Sequence, residues 1–270
     1  MGDLVTIELA GGVADVRLNR PEKYNALSRD MFAALGEAGE RLAGDPSLRA
    51  VVLSGNGRGF CAGLDFDSFR AMSDAGAASR GAAPAPAVAE RPDNFFQRSA
   101  YTWKRMPVPV IAAVHGVAYG GGFQIALGAD LRIARPDARF SILEIQWGLV
   151  PDVAITQTVR DVLRLDVAKE LVWTGRVVDG KEAQALGIVT RLAEDPLAAA
   201  QALAREIAGR SPDAIRAGKR LLEEAWHAEP SAGLSLEARL QGGLIGTPNQ
   251  VEAVRASFEK RAARFRDAQG

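Results

Sequence analysis

The chain is 270 residues long, 47% hydrophobic and 24% charged, a composition that can bury the core of one large domain. Its 33 Lys and Arg are balanced by 33 Asp and Glu, so the basic excess of a nucleic-acid binder is missing. One cysteine excludes an intramolecular disulfide and points to a reducing, cytoplasmic setting. The N-terminal residues show no secretory pattern, and no apolar run approaches the ~20 residues of a membrane span.

In chain order, Val5 to Leu9 and Val13 to Leu18 alternate around Gly11-Gly12, which predicts a β-hairpin. Ser28 is placed to cap a helix running to about Leu42, with Leu27, Met31, Leu35 and Leu42 near helical spacing. Ala50 to Leu53 reads as a short buried strand ending in the glycine-rich turn GNGRGFCAG over 55–63. The Ala-, Gly-, Ser- and Pro-rich stretch over 73–92 reads as a loop. Phe95 to Arg105 reads as a helix closed by Met106-Pro107.

Val110 to Val114 is an apolar, β-branched strand that runs into Gly120, Gly121 and Gly122, and then into an amphipathic helix. A glycine triplet lets the backbone turn sharply and approach a ligand closely. The N–H groups at the start of the following helix suit a negative charge developing on a bound oxygen. Leu131 to Ala134 and Arg139 to Leu143 read as strands, and Asp152 onward as a helix to about Leu163. From Pro196 the pattern is almost wholly helical, broken at Ser211-Pro212, Pro230 and Pro248. The expected organisation is a mixed α/β core over 1–195 and a C-terminal helical segment over 196–270.

Each glycine-rich turn, read alone, is either a structural corner or a ligand loop; together they suit two sets of N–H groups clamping one carbonyl oxygen. Neither has the G-x-G-x-x-G or Gly-Lys-Ser/Thr pattern of a nucleotide site. Glu144 lies in the apolar segment FSILEIQWGLVPD, where desolvation raises a carboxyl toward neutrality; the alternative is a surface glutamate at a strand end. Asp152, eight residues on, is a second acid or a plain N-cap. Gln124, just past the triplet, can give and take hydrogen bonds but supplies no base. Cys61 reads as a small buried residue and His115 as a hydrogen-bonded structural histidine. No metal-ligand spacing occurs.

Four segments in this order, NRPEKYNALS (19–28), GRGFCAGLD (57–65), PVIAAVHGVAYGGGFQIALGADLRIA (109–134) and F-x-x-x-E-I-x-x-G-x-x-P (140–151), resemble the crotonase, or enoyl-CoA hydratase/isomerase, superfamily. The resemblance spans about residue 5 to the C-terminus. It implies a superhelix of ββα units with a C-terminal helical segment that builds a homotrimer or a dimer of trimers. It implies an acyl-CoA thioester as substrate partner, with no cofactor apart from the coenzyme A of the substrate itself. The oxyanion-hole N–H donors map onto Leu64 and Gly121. The adenine end maps near Ala26, Ala62 and Leu64, and the flanking Gly63, Asp65, Gly120 and Gly122 complete the substrate-binding set. Arg20, Lys23 and Arg58 are candidates for the CoA phosphates, and residues 66–103, Trp103, Tyr119 and Trp147 for the acyl pocket wall.

Hydratases that resemble this chain carry two glutamates, one after the glycine triplet; here that position is Gln124, while the second is kept as Glu144. They commonly have glycine where this chain has Asp152. The Glu144 and Asp152 pair resembles that of dienoyl-CoA isomerases, with Gln124 a departure. The expected activity is therefore an acyl-CoA double-bond isomerase rather than a lyase, with Glu144, Asp152 and Gln124 as the catalytic set. The alternatives are a 2-enoyl-CoA hydratase of fatty-acid β-oxidation and a non-catalytic acyl-CoA-binding protein.

Overall fold

A computed structural model describes residues 3–68, 70 and 91–268. The expected hairpin forms from β1 (Val5–Ala10) and β2 (Val13–Leu18), antiparallel in register Val5 with Leu18. Gly11 and Gly12 both take positive φ, the turn geometry that matches the right-handed twist of the strands. β3 (Ala50–Gly55), β4 (Val110–Val114), β6 (Leu131–Ala134) and β9 (Arg191–Leu192) then add in parallel, giving one six-stranded sheet in the order β1-β2-β3-β4-β6-β9.

β3 and β4 are buried along their whole length because both faces of the sheet are covered. Val51, Leu53, Val110, Ala112 and Val114 point into the larger core. There they join Met31, Phe32 and Leu35 of α1 (Arg29–Ala43) and Ala100 and Trp103 of α2 (Phe95–Lys104). The intervening residues Ala50, Val52, Ile111 and Ala113 point the other way and meet Ala200, Ala204 and Ala208, spaced one helical turn apart. Those alanines belong to the helix Pro196–Ala208, so the first C-terminal helix is a layer of the core sheet. Ser28 caps α1 by accepting from Met31 N, and Asn94 with Gln97 forms a capping box on α2.

A second, three-stranded sheet carries β5 (Val117–Tyr119), β7 (Arg139–Ser141) and β8 (Val178–Asp179). β5 and β7 pair in parallel, so their C-terminal ends lie side by side. β5 feeds the glycine triplet and the seven-residue α3 (Gly121–Leu127); β7 feeds the 3-10 turn Leu143–Trp147. The chain continues through α4 (Ile155–Thr158), α5 (Leu165–Thr174), α6 (Gly180–Ala185) and α7 (Pro196–Ala208). It closes with α8 (Pro212–Ala225), α9 (Pro230–Leu244) and α10 (Pro248–Phe258). Lys219 on α8 pairs with Asp130 at 2.7 Å and donates to Val108 O, and Arg216 donates to Asp45 O and Leu48 O, which docks α8 on the core.

Two expectations are corrected. The strand from Arg139 stops at Ser141, and Glu144 sits in the 3-10 turn. The helix expected from Asp152 to Leu163 shrinks to Ile155–Thr158, because Val153 N–H donates to the Gln124 side chain and Ala154 adopts left-handed φ, +60°. Asp152 is therefore not an N-cap; that position is Ala154. The expected loop over 73–92 lies, up to residue 90, outside the described residues. No helix among the described residues is long and apolar enough to cross a membrane.

Candidate active site

The glycine-rich loop after β3 is shaped by Asn25, a fully buried side chain that the composition of the segment did not single out. Its Nδ2 donates to Asn56 O, Gly59 O and Phe60 O, and its Oδ1 accepts from Arg20 N. The sequence signal for it was an asparagine inside a turn-like stretch, consistent with its positive φ of 57°. Farther along, Leu27 N–H donates to Gly63 O and Asp65 N–H to Leu27 O, a parallel bridge between Leu27 and Leu64. In this parallel bridge Leu27 makes both hydrogen bonds, and the N–H of Leu64 points away from it. The Leu64 N–H and the Gly121 N–H have no hydrogen-bond acceptor among the described residues.

The two glycine-rich loops touch. Cys61 N–H donates to Val117 O and Tyr119 N–H to Cys61 O. Gly63, at φ +88°, lies so close that a Cβ there would stand 2.7 Å from Tyr119 O. Gly120 N–H donates to Ser141 O at 2.9 Å, which sets the triplet beside the turn that carries Glu144. Where the loops and that turn meet, a cavity of about 650 Å³ opens.

Its wall includes Ala26, Ala62, Gly63, Leu64, Asp65, Gly120, Gly121, Glu144 and Asp152, so most of the expected site residues converge. Two do not line it. Gly122 packs behind the wall against Cys61. Gln124 is fully buried behind Glu144: its Nε2 donates to Glu144 Oε1 at 2.5 Å and its Oε1 accepts from Val153 N–H at 2.8 Å. The rest of the wall is largely apolar and was mostly not foreseen: Leu27, Phe32, Phe96, Leu143, Leu149, Val150 and Val153. Tyr119 and Trp147 line it as expected, and Phe66 meets Trp147 edge to face with ring centroids 6.3 Å apart. Trp103 is in the core instead, fully buried beside Ala100 and Met106.

Desolvation raises the Glu144 carboxyl above the usual range, and the charge of Asp152 pushes the same way; a hydrogen bond from its own backbone N–H, and a weaker influence from Gln124, oppose them. Glu144 Oε2 is buried with no hydrogen-bond partner among the described residues. Asp152 is exposed at the cavity wall yet crowded by protein on its inner side, and that desolvation raises its carboxyl too. Two acids with raised pKa facing one cavity are a proton-transfer arrangement.

Asp65 behaves differently. Burial pushes its pKa up, but hydrogen bonds from Arg20 and the Asp67 N–H, with the charges of Arg20 and Lys23, outweigh that and hold it low. Arg20 is thereby committed to Asp65 and to Ala26 O, and Arg58 lies over the Tyr24 ring, 4.7 Å from its centroid. Of the three phosphate candidates only Lys23 lines the cavity, and it lies 3.8 Å from Asp65 and 3.3 Å from Asp67. Cys61 is buried with its thiol pushed up to about 12 by desolvation, and the His115 Nε2 is hydrogen-bonded to Gly57 O, as expected of structural residues. Among the described residues there is no group of three or more His, Cys, Asp or Glu that could hold a metal ion.

Residues 8–268 match the family model for enoyl-CoA hydratase/isomerase. The chain is 33% identical over 264 residues to the mouse enoyl-CoA hydratase domain-containing protein 2, mitochondrial, covering 94% of this chain and 84% of that protein. Among solved structures, the enoyl-CoA hydratase of Mycobacterium tuberculosis H37Rv superimposes with a TM-score of 0.84 at 30% identity, covering 99% of this chain and 100% of that one. The enoyl-CoA hydratase of Mycobacterium smegmatis does so with a TM-score of 0.81 at 33% identity, covering 97% and 98%.

Proposed function

Because this chain belongs to the enoyl-CoA hydratase/isomerase family, we propose that it is an acyl-CoA double-bond isomerase acting through a thioester enolate. One observation carries this reading: Glu144 and Asp152 share a cavity with the Leu64 and Gly121 backbone, while both ends of the Gln124 amide are occupied behind the wall.

In this mechanism Glu144 removes a proton from C2 of the thioester. The electrons move onto the thioester oxygen, and the Leu64 and Gly121 N–H groups hold the resulting anion. With a 3,5-dienoyl-CoA, the dienolate extends to the far end of the double bonds. Asp152 returns a proton there, at C6, and the double bonds settle at C2 and C4. Glu144 has gained a proton and Asp152 has lost one, so the pair resets by exchange between them or with solvent. The raised pKa of both carboxyls suits these roles, since the acid must hold a proton close to the pH at which the base has lost its own. The roles of the two acids are interchangeable in this scheme.

The second reading is a 2-enoyl-CoA hydratase, favoured by the names of the relatives. In it Glu144 activates the water without help from Gln124, which does not line the cavity and has each end of its amide engaged. Purified protein is to be assayed with 3,5-dienoyl-CoA and with crotonyl-CoA. Isomerisation that collapses in Asp152→Asn supports the proposal, and equal rates in native and variant remove Asp152 from the mechanism. Robust crotonyl-CoA hydration that is lost in Glu144→Gln moves the assignment to hydratase.

Assembly into a homotrimer or a dimer of trimers belongs to the same proposal. Exposed Trp226, Leu234, Ile245 and Phe258 at the C-terminal helices support self-association. Analytical ultracentrifugation tests it.

A further inference from the structure

Gln124 has a fixed orientation. The Val153 N–H can only donate, so it must face the side-chain oxygen of Gln124, and the NH₂ group must then face Glu144 Oε1. The same residue is anchored through its own backbone, Gln124 N–H donating to Gly120 O at 3.1 Å. Val153 in turn packs toward Gly121, its Cγ2 lying 3.7 Å from where a Cβ on that glycine would stand. One neutral side chain thus ties together the turn that holds Glu144, the segment that holds Asp152, and the backbone that presents the Gly121 N–H.

We infer that Gln124 is a positioning residue for the general base: it holds Glu144 Oε1 through a donor of fixed sense and keeps the Asp152 segment in place. The inference deepens the proposed function and rests on Glu144 being the base of that reaction. The donor also favours the ionised form of Glu144 against burial and against Asp152. The other titratable groups lining the cavity are Lys23, Tyr24, Asp65 and Tyr119. Asp65 is tied up by Arg20, and Gln124 itself carries no charge.

Two substitutions separate the two ends of the amide. Gln124→Glu keeps an acceptor for Val153 N–H but sets a second carboxyl against Glu144, and the two must share a proton. Gln124→Met keeps the bulk and removes both bonds.

The test follows the Glu144 carboxyl by carbon-13 NMR titration in the full-length native protein and both variants, without substrate. It also measures kcat and KM with 3,5-dienoyl-CoA or crotonyl-CoA, whichever the native protein converts. The expected result is a Glu144 midpoint that rises from native to Gln124→Met, two coupled steps in Gln124→Glu, and a kcat lower by roughly ten- to hundredfold in Gln124→Met. KM is expected to stay within about threefold, since no substrate contact is removed. A single, unshifted Glu144 midpoint in the variants, or an unchanged kcat, overturns the inference. If Gln124→Met does not fold, the Gln124→Glu titration decides alone. A native protein that converts neither thioester counts against the proposed function, while the titration still decides whether Gln124 sets the state of Glu144.

Discussion

Gly63→Ala probes whether the two N–H-bearing loops must stay in contact. At Gly63 a Cβ would stand 2.7 Å from Tyr119 O and 3.7 Å from Gly120 Cα. Comfortable carbon–oxygen contacts begin near ~3.3 Å, so the loop of Leu64 has to move away from the loop of Gly121 by about 0.6 Å. A displacement of ~1 Å in a reacting geometry costs ~100-fold, so about 0.6 Å corresponds to roughly tenfold in kcat. The left-handed backbone adds a separate cost of ~1–2 kcal/mol for a residue with a Cβ, on the order of 2–8 °C in Tm for a chain of this size. Gly11→Ala is the control. It has a positive φ of +58° with nothing within 4 Å of its Cβ position, so it carries the backbone cost without the wedge. Steady-state kinetics and thermal unfolding by circular dichroism read the two effects separately. Both variants are expected to lose Tm, and only Gly63→Ala to lose kcat. A Gly63→Ala protein with native kcat, or a Gly11→Ala protein that loses as much activity, refutes the reasoning.

Glu144→Gln is expected to abolish turnover yet stabilise the protein in mild alkali. The folded state holds the Glu144 proton more tightly than the unfolded chain does, so its stabilising contribution is present below the unfolded pKa and lost as pH rises through the raised folded value. Urea unfolding should show the variant more stable than native at about pH 8 and equal to it at about pH 3.5. Asp65→Ala has the opposite sign. Its depressed pKa contributes stability above the unfolded pKa that disappears as pH falls through the folded value. Leaving Arg20 without that partner should cost about 2–4 kcal/mol at neutral pH in the same assay, and little in acid. Cys61, buried and with its thiol held up to about 12, should react with a thiol-specific chromogenic reagent only after unfolding; rapid labelling of the native protein refutes its placement.

Local pattern was a reliable guide wherever a segment's hydrogen bonds close on itself or on a neighbour of matching period. The β1–β2 hairpin, α1 behind Ser28, β4 and β6 formed where alternation, capping chemistry and apolar runs placed them. The helices after Pro196 likewise begin at the prolines and caps visible in the sequence. What alternation did not reveal is that Ala200, Ala204 and Ala208 cover the core sheet, because small residues at helical spacing do not name the surface they pack on.

The chemistry-bearing segments were legible as residues and illegible as geometry. Glu144, Asp152, Leu64 and Gly121 were identifiable from their motifs, and all four reach one cavity. The segment after Asp152 looks helical from its own residues, but the Val153 N–H is claimed by Gln124, far away in sequence, and Ala154 turns left-handed. Gln124 looked like a group facing the substrate, and Trp103 like part of a pocket wall. Which face of a residue meets solvent, cavity or core is fixed only when separate strands align, as β5 and β7 do here. The sequence by itself thus determined most of the longer strands and helices, the family and the set of ionisable groups. Tertiary packing decided what holds Glu144 and the Asp152 segment in place, because that depends on hydrogen bonds between segments that no local pattern encodes.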